Sequence, residues 1–462
     1  MDDFSAFFKN NYKTAASDES LTNRRYEHII KRVDEDLPII MAGNEEIQPI
    51  EDIYQLEEFI NRSNREYTNN ELQQAIDLVS QIPIKFISKE NIESLLNRLP
   101  PLNHIETSTN SFRLLSLIIR SQDNAKEISA RQLLNRTKFD FFTNFSEELQ
   151  VYISSTIGYL VYFVESELGY YYNSFFPYFL QYFTGNTTYS CFSLSEILLT
   201  ASRFISLMNN EELEKCFRVF SLYLHRNALE DIYMSLNGII RIMHQDFTFV
   251  AQLVRPDILD RLISLGYQKR YDLADNEPDP LKPKIIIVFQ YLLADTSVSM
   301  EEEFYQGLSE LIVVFLSSND QKTVLETLML VGFAVHNPFF IKYASFLSIS
   351  EYFFNCFHLL KYENKKEWAS ALANVYYFLP IQEVESFFAQ KEHIEKLVIV
   401  LELADDEVID RVVKGLYHTL SLSEKCVAIL KSNNEIIPLL ESIESENTSI
   451  TPLISKVLKL LR

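Results

Sequence analysis

Histidine is the side chain best suited to acid–base work near neutral pH. The chain has eight, at His28, His104, His225, His244, His336, His358, His393 and His418. None belongs to a His-Glu-x-x-His pair, and none stands beside a cysteine at zinc-ligand spacing. The four cysteines, Cys191, Cys216, Cys356 and Cys426, are far apart with no Cys-x-x-Cys among them, and read as buried small residues of a reducing compartment. Carboxylates are so numerous (64 Asp and Glu) that pairs of them single out no general acid or base. Phosphate chemistry fares no better. No two of the nine glycines lie closer than Gly158 and Gly169, which excludes a P-loop, a dinucleotide fingerprint and a nucleophile elbow. No catalytic residue, metal or cofactor is expected.

With 42 basic against 64 acidic residues the formal net charge is −22. A surface of that sign repels phosphate backbones, so direct nucleic-acid binding is not expected, and basic peptides or proteins are favoured. Acidity for solubility alone is the plainer reading of the same number. The longest apolar run, Val151 to Val164, is flanked by Glu148 and Glu165 and falls short of the roughly 20 residues a span needs. No membrane association is expected. The first residues, MDDFSAFFKNN, show no charged region leading into an apolar one, and the expected location is cytoplasmic and/or nuclear.

Any candidate residue must be carried on helices. Apolar residues recur at helical spacing, as at Leu311, Ile312 and Phe315 or at Val408, Val412 and Leu416. Glycine and proline (9 and 14) are too scarce for frequent β-turns. A small or apolar residue returns near the middle of successive long helices at Ala75, Leu115, Gly158, Ala201, Gly238, Tyr291, Gly332, Ala373 and Gly415. The spacings are 40, 43, 43, 37, 53, 41, 41 and 42 residues. About 20 residues after each of the last five anchors a second apolar group follows, for example Leu311 with Ile312 and Tyr352 with Phe353.

Repeats of about 40–47 residues made of two or three helices are those of armadillo and HEAT arrays. The expected fold is all-α, a right-handed superhelical armadillo/HEAT-type α-solenoid of about nine repeats. A glycine at a fixed point of the repeat would let neighbouring helices approach closely. The organisation expected is a leader over 1–45, a solenoid over 46–447 with a Pro-rich inserted loop over 267–284, and a basic capping helix over 448–462. The aromatic stretch Phe175 to Phe183, with Tyr170, Tyr171 and Tyr172 before it, is either an exposed binding patch or core filling. Glu301-Glu302-Glu303 and Asp405-Asp406-Glu407 read as helix starts.

The segment NKKEWASALANVYYFLPIQEVESFFAQKEHIEKLVIVLELADD (Asn364 to Asp406), followed by EVIDRVVKGLYHTLSLSEKC, resembles the last armadillo repeats of importin-α. Near the start, Phe8-Lys9-Asn10 and the cluster Arg24, Arg25, Lys31 and Arg32 resemble that family's importin-β-binding segment. The resemblance implies an adaptor that takes a basic, nuclear-localisation-type peptide into a concave groove and docks an importin-β-like carrier through Lys9, Arg24, Arg25, Lys31 and Arg32. In that family, Trp-x-x-x-Asn motifs clamp lysine stems and hold the peptide backbone. The single tryptophan, Trp368, stands six residues before Asn374, and the place four before it is Ser370. A tyrosine version occurs at Tyr233 and Asn237. Tyr233, Asn237, Ser370 and Asn374 are therefore the peptide-binding candidates. The alternative is a generic armadillo scaffold that binds an unrelated protein and has no transport role.

Overall fold

Local sequence starts and stops the helices. Thr68 with Glu71, and Asn209 with Glu212, form reciprocal capping boxes, and Asp320 accepts from the amides of Lys322 and Thr323. The computed structural model describes residues 50–462 apart from 63–64, 83–85, 101–104, 120–138, 140–141, 143–144, 164–165, 167, 186–193, 269–277, 362–363, 404–405 and 447–449. Among the described residues there is no strand. The chain divides into two units, Met1–Gln245 and Asp246–Arg462.

The described part of the first unit contains α1 (Ile50–Asn61), α2 (Asn69–Gln81), α3 (Lys89–Asn97), α4 (Ile105–Ile119) and α5 (Glu147–Phe163). These are followed by α6 (Leu168–Ser174), α7 (Phe176–Gly185), α8 (Leu194–Phe204), α9 (Asn210–Tyr223) and α10 (Leu229–Gln245). The anchors Ala75, Leu115, Gly158, Ala201 and Gly238 lie on α2, α4, α5, α8 and α10, and each of these helices packs on the next in one continuous row. Helices α1 with α3, and α7 with α9, pair in a second, flanking row.

The second unit contains α11 (Pro256–Tyr267), α12 (Leu281–Ala294), α13 (Glu302–Leu316), α14 (Gln321–His336), α15 (Pro338–Tyr343) and α16 (Leu347–Cys356). It continues with α17 (Lys365–Phe378), α18 (Ile381–Phe388), α19 (Lys391–Leu403), α20 (Asp406–Leu422), α21 (Glu424–Lys431), α22 (Ile436–Glu446) and α23 (Thr451–Leu461). Its anchor row is α12, α14, α17, α20 and α23, again each against the next, while α11, α13 and α16 pack in sequence beside it. From α15 onward the repeats have three helices, running short, medium, long in α15–α17 and α18–α20, while α22 and α23 of the last are equally long at 11 residues; α13 with α14 makes a two-helix repeat. Helix α23 takes the long-helix place of the last repeat, packing on α20 and α22. The expected insertion is narrower than 267–284: Tyr267 closes α11 and Leu281 to Lys284 open α12. Its residues 269–277 lie outside the described residues.

The period is written in hydrogen bonds as well as apolar spacing. Thr419 Oγ1 donates to Tyr376 O across 43 residues and Arg411 Nη1 to Ser370 Oγ across 41, both between α20 and α17. Two bonds with nearly the same offset mean that the helices run parallel, since an antiparallel pair would keep the sum of residue numbers constant instead. Tyr172 of α6 to Glu212 of α9 (2.6 Å), and Tyr267 to Glu310 (2.9 Å) in the second unit's flanking row, repeat the separation at 40 and 43 residues.

The glycine anchors mark close approach, as expected. A Cβ at Gly415 would lie 2.8 Å from Ala373 O on the neighbouring α17, and one at Gly158 would lie 2.5 Å from Thr200 Oγ1 on α8. Asn337 makes a further stitch. It is fully buried, accepts from the amides of Phe339 and Phe340 to start α15, and donates from Nδ2 to Leu293 O at 2.9 Å. Replacing Asn337 with alanine removes a helix cap and leaves a buried carbonyl without its donor, a loss of about 2–4 kcal/mol. Urea unfolding checks this, and a loss below about 1 kcal/mol would contradict it.

Candidate functional site

Trp368 is no groove clamp. It is fully buried, its indole Nε1 donates to Phe353 O at 2.8 Å, and its ring stacks on Phe353 (5.2 Å between centroids, 16°) with Phe357 and Phe354 beside it. The tryptophan therefore ties its own α17 to the flanking α16. His393 joins the same aromatic cluster, stacked on Phe354 at 3.5 Å. Burial, helped by the nearby Lys396 charge, pushes its imidazole down to about 4. Between there and the ordinary value near 6.5 the unfolded chain holds a proton that the folded chain does not. The stability this imparts is complete above about pH 6.5 and is lost as pH falls. Unfolding measured at pH 7 and pH 5 should show a larger drop for the parent chain than for His393→Phe. Equal drops would refute the assignment.

Of the four peptide-binding candidates, two stand at a surface. Tyr233 and Asn237 on α10 are 5% and 6% exposed, so neither is presented to a peptide. The Asn237 carboxamide oxygen is buried without a hydrogen-bond partner among the described residues. Ser370 and Asn374 on α17 are half-buried, Ser370 accepting from Arg411 and Asn374 resting its amide against Gly332. The carrier-binding candidates Lys9, Arg24, Arg25, Lys31 and Arg32 lie outside the described residues.

The aromatic stretch is core. Phe175, Phe176, Phe179 and Phe183 are fully buried, and Phe175 and Phe176 meet Phe204 of α8. Of the aromatic residues in that stretch, only Tyr170 is substantially exposed. Glu301 to Glu303 do open α13, and Asp406 with Glu407 open α20. Tyr352, placed by its spacing with the second apolar group, is exposed, and only Phe353 of that pair is buried. Burial also settles the described cysteines: it raises the Cys216 and Cys426 thiols and pushes Cys356 up to about 12, so all three stay protonated. Cys191 lies outside the described residues. Among the described residues no group of three His, Cys, Asp or Glu is placed to hold a metal.

In the second unit a surface assembles that sequence spacing did not single out. Helices α14 and α17 each leave one stripe at i, i+4, i+7 partly open: Leu325, Met329, Phe333 and His336 on α14, and Ser370, Asn374 and Tyr377 on α17. On α20 the stripe is Glu407, Arg411, Lys414 and His418, while α23 buries one face (Ile454, Val457, Leu458 and Leu461) and exposes Ser455, Lys456 and Lys459 outside it. Side chains join these stripes across the repeats. His336 meets the Phe378 ring edge-on at 4.7 Å, Tyr377 stacks on His418 at 4.5 Å, and Lys456 Nζ lies 5.8 Å over the Tyr417 ring. The one sequence signal was faint: His336, Phe378 and His418 stand at the same end of successive helices, about one repeat apart.

The charge of this face differs from that of the chain. Carboxylates on these helices sit in the first turns (Glu367, Asp406, Glu407), are buried (Glu326), or are paired, as Asp410 is with Lys414 at 2.7 Å.

No family model matches the chain, and no curated protein matches it. Among solved structures an engineered protein from the Northeast Structural Genomics Consortium is similar over 89% of this chain and 98% of its own, at 16% identity and a TM-score of 0.62. The fold is an armadillo/HEAT-type α-solenoid. A designed armadillo repeat protein matches over 62% of this chain and 99% of its own at 16% identity and a TM-score of 0.34. Kap121p matches over 89% of this chain and 41% of its own at 10% identity and 0.41.

Proposed function

We propose that the protein is a non-catalytic binding platform that holds another protein along the open face of α14, α17, α20 and α23. The observation that supports this is the joining of that face across four helices by half-exposed rings. Contiguous, partly open rings of this kind commonly mark an interaction surface. Chemical cross-linking of the full chain in its native cells, with lysine-reactive reagents and mass spectrometry, tests it. Cross-links to a partner should fall on Lys366, Lys414, Lys456 and Lys459. Recovery of no partner, or of cross-links confined to the flanking rows, would refute the reading.

The second reading is the importin-α-like adaptor: a basic nuclear-localisation peptide in the groove, an importin-β-like carrier on the leader, and work in the cytoplasm and nucleus. What favours it is that Ser370 and Asn374 share the open face of α17. Under this reading, changing Arg24, Arg25, Lys31 and Arg32 to glutamate abolishes carrier binding in a pull-down. An intact chain that captures no carrier ends it.

A further inference from the structure

Consider the second halves of the four long helices. From Met329 in α14, Leu372 in α17, Lys414 in α20 and Lys456 in α23 to each helix end there is no carboxylate, buried or exposed. In a chain of net charge −22 that is a local reversal. The α14–α17 end of the strip is apolar and aromatic, with Phe333, His336, Tyr377 and Phe378 partly open. The α20–α23 end is cationic, with Lys414, Lys456 and Lys459 exposed. Lys414 is ion-paired within its own helix, and Lys459 takes part in no ion pair among the described residues.

Helix dipoles account for part of this arrangement, because cations are favoured at helix C-termini. They do not account for the ring-lined half, since the α17 terminus bears two aromatic side chains and no cation. A half-exposed ring row continuous with a lysine cluster is amphipathic along its length, not across it. Neighbouring helices pack about 8–10 Å apart, so four of them span about 25–30 Å. Eight or nine residues of extended chain cover that distance at about 3.3 Å each.

We propose that this strip docks an extended peptide segment of a partner protein, apolar or aromatic where it crosses α14 and α17 and rich in Asp and Glu where it crosses α20 and α23. This rests on the binding-platform reading and gives its partner a chemistry. That chemistry is opposite in sign to a nuclear-localisation peptide. The carboxylates meet Lys414, Lys456 and Lys459, which fix direction and register, while the apolar side chains cover the ring row. Because the lysines are exposed, the ionic part weakens with salt.

A phage-displayed library of random twelve-residue peptides, panned on the full chain, tests this whichever partner the strip serves. Selected peptides should combine acidic residues with an aromatic or large aliphatic residue. Fluorescence anisotropy of the best of them should show binding at least about tenfold weaker to the Lys414→Glu/Lys456→Glu/Lys459→Glu variant, with a Lys-to-Gln version intermediate. Lys414 is ion-paired with Asp410 and Lys456 lies over the Tyr417 ring, so the Lys-to-Gln version, which adds no like charge, is the folding control: its thermal unfolding should stay close to that of the parent while its binding weakens. Enrichment of Lys- and Arg-rich peptides, absence of any consensus, or acidic peptides insensitive to the substitutions would each overturn the proposal. Cross-links from cells that place a partner elsewhere on the chain would sink this inference and leave the binding platform standing. Failure to find any partner would sink the platform itself.

Discussion

Replacing Trp368 with alanine lowers the stability of the fold by about 3–5 kcal/mol, the loss typical of a large aromatic removed from a packed core. The side chain is fully buried among Phe353, Phe354 and Phe357, and its indole N–H is spent on Phe353 O. Alanine would leave a cavity against three rings and remove the donor that ties α17 to α16. Urea unfolding followed by circular dichroism reads the change. The result separates two roles that the same residue type plays in helical repeats. A tryptophan exposed to clamp a ligand contributes little to folding, so a loss under about 1 kcal/mol with abolished peptide binding would restore the groove reading. The buried one costs stability first. About 3 kcal/mol is a large part of what holds a domain folded.

The second large effect belongs to Gly415. Valine there places its Cβ 2.8 Å from Ala373 O and 3.2 Å from Tyr376 Cβ, and the first of these is backbone of a neighbouring helix that cannot rotate away. Overpacking of this kind costs typically about 1–3 kcal/mol, and a backbone obstacle puts Gly415→Val near the upper end, at about 3 kcal/mol. Gly307 supplies the opposite sign. It also sits mid-helix, in α13, but a Cβ there meets only Ile263 at ordinary contact distances of 3.7 and 3.8 Å. Gly307→Ala should stabilise by about 0.5–1 kcal/mol, through helix propensity and a less flexible unfolded chain. Unfolding midpoints for the pair decide the matter. If both substitutions move stability in the same direction, close approach at Gly415 is not what the repeat needs.

Much of the architecture was legible because helical periodicity and repeat spacing are local or regularly spaced signals. The nine anchors, picked from spacing alone, fall on nine separate helices that form the continuous rows of the two units. The segment expected to form a last helix contains α23, which packs on α20 and α22. The site was far less legible. Tyr233 and Asn237 carry the right residue types four apart on a long helix, and yet they are buried. Trp368 looks like a displaced groove residue in sequence and is the centre of an aromatic core in space. Residue type and spacing place a side chain on a helix. They do not say which face of that helix its neighbours will cover.

The sequence by itself supplied the expectation of a binding surface. Glycines spaced too widely for a phosphate loop, dispersed histidines and scattered cysteines direct the search to binding surfaces. It also determined the helices, their approximate repeat length and the positions where they pinch together, because apolar period and small residues act through nearest neighbours. Only tertiary structure decided which candidates face outward and how the charge is distributed. An overall charge of −22 favours basic partners, whereas the open side of the second unit's long helices leads from rings into lysines. The reason is geometric. His336, Phe378, Tyr377, His418 and Lys456 come from four different helices, each about a repeat from the next. They form one surface only when parallel packing of α14, α17, α20 and α23 sets their ends side by side.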